Sequence, residues 1–238
     1  MEWTRTDAAR RRIVVVALII GPLLAALSAA IGLGTDGGGM REQFASMGAH
    51  AQTILVQDVL ETAGFLLVLA ALAGATQALR LRGGTLGTIG AILAILGTAG
   101  FSISNATGLA VVALAQQPNQ DAAFQTAMAL TDDSVLATAG TMGFVLELLA
   151  QAGMLLVMIG LVRARLVSAW VLTLPVLGIA VNAIGGMMAA TLVADLLLLA
   201  AGIWIAVRIA RCSRQQWLGN AGAQPSQKAS PRLARSAR

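Results

Sequence analysis

Residues 10–34, which read RRRIVVVALIIGPLLAALSAAIGLG, decide the fold class of this chain. Three arginines precede an apolar run that extends from residue 13 to residue 34. A helix needs about 20 apolar residues to cross the hydrocarbon core of a bilayer, because each residue adds about 1.5 Å. The run therefore predicts a transmembrane helix that follows directly after a positively charged turn.

The remaining apolar runs predict five further helices of the same kind. The stretch from residue 168 to residue 209 is too long for one helix, so the Gly185-Gly186 pair is the expected bend within it. The chain is predicted to be an all-α membrane bundle of six transmembrane helices over residues 13–210. The predicted spans are residues 13–34, 53–79, 86–114, 134–162, 168–187 and 191–209.

The composition supports a membrane protein. Of the 238 residues, 57% are hydrophobic and 11% are charged, whereas soluble domains carry about 25% charged residues. The basic residues lie at the ends of apolar runs and not in a patch with interleaved aromatic residues, so no nucleic-acid partner is expected. The bias towards Ala, Gly and Arg is typical of a GC-rich bacterial genome.

The positions of the basic residues predict the orientation. Positive side chains mark cytoplasmic loops because they resist translocation across the membrane. With the N-terminus inside, all of the 16 lysines and arginines except Arg41 fall on the inner side. Both termini are therefore predicted to lie in the cytoplasm, with the chain in the bacterial inner membrane. The inner segments are residues 1–12, 80–85, 163–167 and 208–238.

The first span has a second interpretation. Arginines, an apolar stretch and the small residues Ala25-Ala26-Leu27-Ser28-Ala29 also form the pattern of a cleavable signal peptide. The apolar run is longer than the usual signal core of about 7–15 residues, which favours a retained span. Cleavage would leave five spans.

The segments outside the spans have distinct compositions. Residues 1–12 are basic, and residues 211–238 form a basic tail with little to bury, which predicts cytoplasmic disorder. The outer loop at residues 35–52 contains three consecutive glycines, which disfavour a rigid helix. In the second outer loop, Phe124 and Met128 are spaced for one face of a short helix at the membrane interface.

Two stretches of the chain resemble each other. Residues 58–68, DVLETAGFLLV, align without gaps on residues 147–157, ELLAQAGMLLV. Both would run from the outside to the inside, which indicates a parallel repeat rather than the inverted repeat of many transporters. Coincidence between segments rich in Leu, Ala and Gly explains the match equally well, so both interpretations stay open.

Residue counts exclude most catalytic chemistry. One histidine and one cysteine do not suffice for a zinc site of the His-rich or Cys-rich kind, and no hydrolase or phosphate-loop motif occurs. We therefore expect no metal and no cofactor, and an enzyme is the weakest of the functional hypotheses.

Polar residues inside the spans are the candidates for function, because burying such a group in a bilayer is costly. Helical rise counted from the inner arginines places Glu147, Asn182 and Asp195 at a similar height, about 24–26 Å above them. Gln151 lies one turn from Glu147 on the same helix face. These four residues form the predicted intramembrane polar site.

A second group of polar residues lies nearer the outer boundary. Asp58 and Glu61 share one face of the second span, Asn105 has a similar level in the third, and His50 precedes the second span. These four residues predict an outer vestibule that leads to the intramembrane site.

Small residues at four-residue spacing allow helix backbones to approach closely. Packing within the bundle is the favoured interpretation, and homo- or hetero-oligomers are the other. The two ladders are Gly100, Ser104 and Gly108, and Gly178, Asn182 and Gly186.

Several apolar stretches are also similar to a known family. They are residues 20–25, IGPLLA, and residues 151–163, QAGMLLVMIGLVR, followed by RLVSAWVL at 165–172 and VLGI at 176–179. On these stretches the chain resembles a family of six-span bacterial membrane proteins described as a domain of unknown function. The resemblance covers most of the chain and implies the six-helix fold. It implies no activity, so no functional residues are carried over.

Two functional hypotheses follow from these features. The first is small-solute or proton-linked transport or sensing through an outward-facing acidic cavity. The second is a non-catalytic structural or partner-binding subunit of a membrane complex, whose glycine ladders would face lipid or a partner. The two differ in whether Glu147, Asn182 and Asp195 converge on a cavity.

Overall fold

The computed structural model describes residues 5–35, 38–79, 83–132, 135–185 and 188–217. Gly186 of the predicted Gly185-Gly186 bend, residues 218–238 of the tail predicted to be disordered and the first four residues of the basic N-terminal segment lie outside this part of the chain. Within residues 211–217 of that tail, Arg214–Trp217 form a short helix instead, because Trp217 is buried in the core. The helices are α1 (Arg5–Ile31), α2 (Met40–Ala49), α3 (Ala51–Ala75), α4 (Gly84–Ala115), α5 (Gln120–Asp132), α6 (Val135–Arg163), α7 (Thr173–Gly185), α8 (Met188–Arg211) and α9 (Arg214–Trp217). Single 3-10 turns occupy Thr76–Leu79 and Ala169–Leu172.

Five of the described helices are long and apolar enough to cross a membrane: α1, α3, α4, α6 and α8. Large hydrophobic side chains on their outer faces stay exposed, among them Ile13, Ile95 and Phe144, as a surface in contact with lipid requires. No strand occurs in the described ranges, so the all-α prediction is confirmed there.

The fifth predicted span, residues 168–187, is shorter in the structure than the other apolar helices. It consists of the turn Ala169–Leu172 followed by the 13 residues of α7. An α-helix of that length covers about 20 Å. α7 packs against α8, and a Cβ atom added at Gly178 would lie 3.1 Å from the carbonyl oxygen of Ala194.

Glycines bring two pairs of long helices into backbone contact. In the pair of α1 and α3, a Cβ atom added at Gly21 would lie 2.8 Å from the carbonyl oxygen of Gly64, and one at Gly64 would lie 2.6 Å from that of Gly21. In the pair of α4 and α6, the corresponding distances between Gly90 and Gly153 are 2.6 Å and 2.5 Å. Such close approach is a common basis of helix association in lipid.

The neighbours of these glycines match as well. In each pair, the glycine of the earlier helix contacts a valine that lies one turn after the glycine of the later helix. The glycine of the later helix contacts a consecutive Leu and Ala on the earlier helix. The residues are Val68 with Leu24 and Ala25 in the first pair, and Val157 with Leu93 and Ala94 in the second.

The matching pairs belong to two similar units. Each unit is a long helix, a short helix and a second long helix: α1–α2–α3 in the first and α4–α5–α6 in the second. The sequence match between residues 58–68 and 147–157 falls on the second long helix of each unit. One packing arrangement therefore occurs twice, which favours a duplication over coincidence.

Both short outer segments contain helices. The expectation of a loop without a rigid helix is wrong for Met40–Ala49, because the glycines precede α2 and do not interrupt it. Gly48 of α2 lies directly against the backbone of Ala115 at the end of α4. The helix predicted around Phe124 and Met128 is confirmed as α5, while its place at the membrane interface stays a prediction.

Polar and aromatic side chains hold α2 and α5 together. Arg41 forms an ion pair with Asp121, and the guanidinium carbon of Arg41 lies 5.9 Å from the centre of the Phe124 ring. The rings of Phe44 and Phe124 meet edge to face at 5.5 Å. The basic residue that the sequence places outside is thus used in a contact between the two units.

The largest apolar core lies at the opposite end of the bundle. Its fully buried side chains include Leu79, Leu161, Val171, Ile209 and Trp217. The core joins α1, α3, α6 and α8, which closes that end with apolar packing.

We expect Gly153→Ala to lower the free energy of unfolding by about 1–3 kcal/mol, because the added methyl group forces α4 and α6 apart. Gly140→Ala is the matched control on the same helix, since no atom lies within 4 Å of its added Cβ. Unfolding of the purified protein in detergent measures both variants. Equal losses for the two would contradict the role of the glycine contact.

Candidate functional site

A cavity of about 470 Å³ lies among α1, α2, α3, α4, α7 and α8. Gln43 of α2 and Asn182 of α7 line it and are also exposed at the surface, so the cavity opens at the end of the bundle that carries α2. Its volume is in the usual range for small-molecule sites, about 300–1,000 Å³.

Three carboxyl groups line the cavity: Asp58 and Glu61 of α3, and Asp195 of α8. Asp58 and Glu61 are three residues apart on α3 and so share a helix face, and Asp195 lines the same cavity from α8. Along the helices, Glu61 lies about 15 Å from Ala51 and Asp195 about 10 Å from Met188. The carboxyl groups therefore reach well below the mouth of the cavity.

Amide and hydroxyl groups of the cavity pair with one another between helices. Asn105 of α4 donates from Nδ2 to the Thr62 hydroxyl of α3 at 3.1 Å. The Thr191 hydroxyl of α8 donates to Oδ1 of Asn182 in α7 at 3.0 Å. These bonds fix the cavity walls across two helix junctions.

Gln57 and Ser28 form a buried link between α3 and α1. The Ser28 hydroxyl donates to the carbonyl oxygen of Gln57 at 3.0 Å, and Nε2 of Gln57 donates to the carbonyl oxygen of Ser28 at 3.3 Å. Ser28 is only 3% exposed and Gln57 only 4%, and both line the cavity. Gly32 leaves room for the Gln57 amide, because a Cβ atom there would clash with Nε2.

The structure brings members of both predicted groups into one cavity. Asn182 and Asp195 come from the intramembrane site, and Asp58, Glu61 and Asn105 come from the vestibule. The two groups therefore form a single site and not a vestibule above a second site.

The other three predicted residues do not line this cavity. Glu147 of α6 contributes only the weakest of the electrostatic interactions with Glu61, and Gln151 follows it on the same helix. His50 is exposed at the junction of α2 and α3, where its Nδ1 atom lies 3.0 Å from the carbonyl oxygen of Ser46. The sequence prediction used only the height of each residue along its helix. Height does not determine whether the side chain points towards the cavity or away from it.

Sequence reasoning missed Gln57 and Ser104 as cavity residues. A signal for Gln57 was present, because it precedes Glu61 by one helical turn and so shares its face. Ser104 precedes Asn105 and was interpreted only as part of a small-residue ladder.

Below the carboxyl groups the bundle is apolar. Val68 and Leu72 of α3 pack with Val157 of α6 in a buried cluster, and the large core follows beneath it. The acidic cavity is thus separated from the opposite end of the bundle by apolar side chains.

No family model, curated protein or solved structure matches this chain. The resemblance to a six-span family therefore stays a prediction from sequence. What this chain binds is accordingly inferred from the cavity and its residues.

We expect Gln57→Leu to lower the free energy of unfolding by about 0.5–1.5 kcal/mol, because the hydrogen bond from Nε2 of Gln57 to the Ser28 carbonyl is lost. Gln52→Leu, at an exposed position of the same helix, is the control and should change stability little. Thermal unfolding in detergent compares the two. A Gln57→Leu protein as stable as the parent would show that the buried link contributes nothing.

Proposed function

We propose that the chain is a six-span protein of the bacterial cytoplasmic membrane that admits a small solute from the outside into the acidic cavity, for transport or sensing. The observation that carries the proposal is the cavity itself: Asp58, Glu61 and Asp195 line it, and no basic side chain is among the described residues of the lining. Carboxyl groups inside membrane helices commonly mark ion and proton pathways.

The orientation is supported by where the helix ends lie. Nη1 of Arg11 donates to the carbonyl oxygens of Ala210 and Cys212, so the start of α1 and the end of α8 are at one end of the bundle. The basic clusters of both termini are therefore on the same side, which by the positive-inside rule is the cytoplasm.

Aromatic side chains support the same assignment. Trp170 and Trp204 meet edge to face at 4.9 Å and are both about half exposed. Arg208 follows Trp204 by one turn, so the pair lies near the basic end of the bundle. Tryptophans are enriched at the headgroup layer of membranes, where the ring contacts both lipid and water.

The total of six spans is supported by how the chain connects α6 to α8. α6 ends at Arg163 on the basic side, whereas α8 begins at Met188, which lines the cavity near the opposite end. The chain must cross the bundle between these residues, and the apolar segment Ala169–Ile184 lies between them. α7 is therefore the short fifth span.

Transport requires the solute to pass the apolar core below Glu61 and Asp195. On one side the cavity is lined by the first unit and α8, and on the other side it is lined by α4 of the second unit. A change in the packing of the units would open the inner end, and carboxyl groups in the pathway would couple such a change to protons.

The alternative, a structural or partner-binding subunit, has less support. It predicted ladders that face lipid or a partner, but a Cβ atom at Gly100 would lie 2.6 Å from the carbonyl oxygen of Gly143 within the bundle. Gly108, at the end of the same ladder, lines the cavity. These contacts favour the solute-binding function.

We expect a cysteine at position 108 to react with a membrane-impermeant cationic thiol reagent added outside right-side-out vesicles. Gly108 has open space around it, so Gly108→Cys places a thiol in the cavity. The variant is made in a protein that carries Cys212→Ser, so that the native thiol does not react. Burial already raises the pKa of the Cys212 thiol, which makes it a poor nucleophile.

Ile95→Cys is the control on the same helix. Ile95 is 61% exposed on the side of α4 that would face the lipid, and lipid would shield a cysteine there from the reagent. Reaction of Gly108→Cys alone supports an outward-open cavity. Failure of Gly108→Cys to react, or reaction only from the inner side, contradicts the proposed function.

A further inference from the structure

We propose that the cavity binds a small organic cation with a primary ammonium group and an alkyl body. This inference depends on the proposed function and specifies its ligand. It is based on which hydrogen-bonding atoms of the lining are already in use, and on which kinds of side chain the lining contains.

The charged side chains of the described lining are all carboxyl groups: Asp58, Glu61 and Asp195. Two of its four side-chain amides, Gln57 and Asn105, already donate within the protein, to Ser28 and Thr62. The carboxyl groups act as acceptors when ionised. A ligand that complements this lining therefore donates hydrogen bonds and carries positive charge.

Gln57 gives this argument a second, independent basis. Its side chain is 4% exposed and lines the cavity, and among the described residues no donor bonds to its amide oxygen. Gln57 is not among the described residues whose side-chain polar atoms are sealed from solvent without a partner, so this oxygen is reached from the cavity. A ligand N–H group in the cavity can therefore donate to it.

A metal ion fits this cavity poorly. Within the described ranges, no three carboxylate, histidine or cysteine side chains are grouped closely enough to hold one. A cavity of about 470 Å³ is also far larger than the space a single water molecule occupies, roughly 30 Å³. The spread of acceptors suits a molecule with several atoms.

The lining also distinguishes between kinds of organic cation. Quaternary ammonium groups are recognised by aromatic cages, and none of the described residues that line this cavity is aromatic. A primary ammonium donates N–H bonds to carboxylate and amide oxygens, which are the kinds of acceptor that Glu61, Asp195 and Gln57 contribute to the lining. Ile54, Val111 and Val112 supply apolar walls for an alkyl chain.

Anionic and zwitterionic ligands are disfavoured by charge. Among the described residues of the lining there is no Lys, Arg or His, and Arg41, on α2, is paired with Asp121. A ligand carboxylate would thus meet Asp58, Glu61 and Asp195 without a compensating cation.

Titration calorimetry of the full-length protein in lipid nanodiscs tests the inference. We expect n-butylamine and 1,4-diaminobutane to bind, and n-butanol, which has the same number of heavy atoms as n-butylamine but no charge, to bind at least about tenfold more weakly. Tetramethylammonium and Mg²⁺ should bind more weakly than either amine. Equal binding of n-butanol, or tighter binding of tetramethylammonium or Mg²⁺, would overturn the inference.

Variants locate the binding. Glu61→Gln and Asp195→Asn keep the side-chain shape and should each weaken amine binding at least about tenfold. Glu147→Gln is the control, because Glu147 does not line the cavity, and it should bind amines as the parent does. Amine binding that persists in Glu61→Gln and Asp195→Asn would place the ligand elsewhere and refute the proposal.

The result separates the inference from the proposed function. If Gly108→Cys reacts from the outside but neither amine binds, the cavity is open and the ligand class is wrong. If Gly108→Cys does not react, the proposed function itself fails. Thermal unfolding of each variant without ligand confirms that it is folded before binding is compared.

Discussion

Backbone contact between glycines on neighbouring helices is the constraint on which the rest of this bundle depends. Apolar side chains gain little from association in lipid, because lipid tails are equally apolar. Close contact at Gly21–Gly64 and Gly90–Gly153 replaces that missing driving force with packing between backbones. The acidic cavity lies beside these pairs and is lined by α1 and α3 of the first pair and by α4 of the second.

The position of the cavity follows from how the units meet. Within each unit the long helices touch along their glycines, whereas α3 and α4 meet through side chains, among them Phe65 and Phe101, whose ring centres lie 4.8 Å apart. Hydrogen bonds join α4 to α3, from Asn105 to Thr62, and α8 to α7, from Thr191 to Asn182. Below them, Val68, Leu72 and Val157 restore apolar contact.

The sequence was sufficient to predict the long helices, because hydrophobic length and flanking arginines depend on the bilayer and not on tertiary packing. It also identified Asp58, Glu61, Asn105, Asn182 and Asp195 as candidates. Their meeting in one cavity was not predictable, because it depends on the rotation of each helix about its axis, and that rotation is determined by the glycine contacts. Glu147 has a suitable height but lies on a helix that does not line the cavity.

The duplicated packing has a consequence for how the two copies differ. In the alignment of residues 58–68 with 147–157, Glu61 corresponds to Ala150. Ala150 is buried directly against Gly97, so the position that holds a carboxyl group in one copy is filled by tight packing in the other. At this position one helix therefore presents a carboxyl group to the cavity, whereas the other presents a methyl group that lets α4 and α6 pack closely.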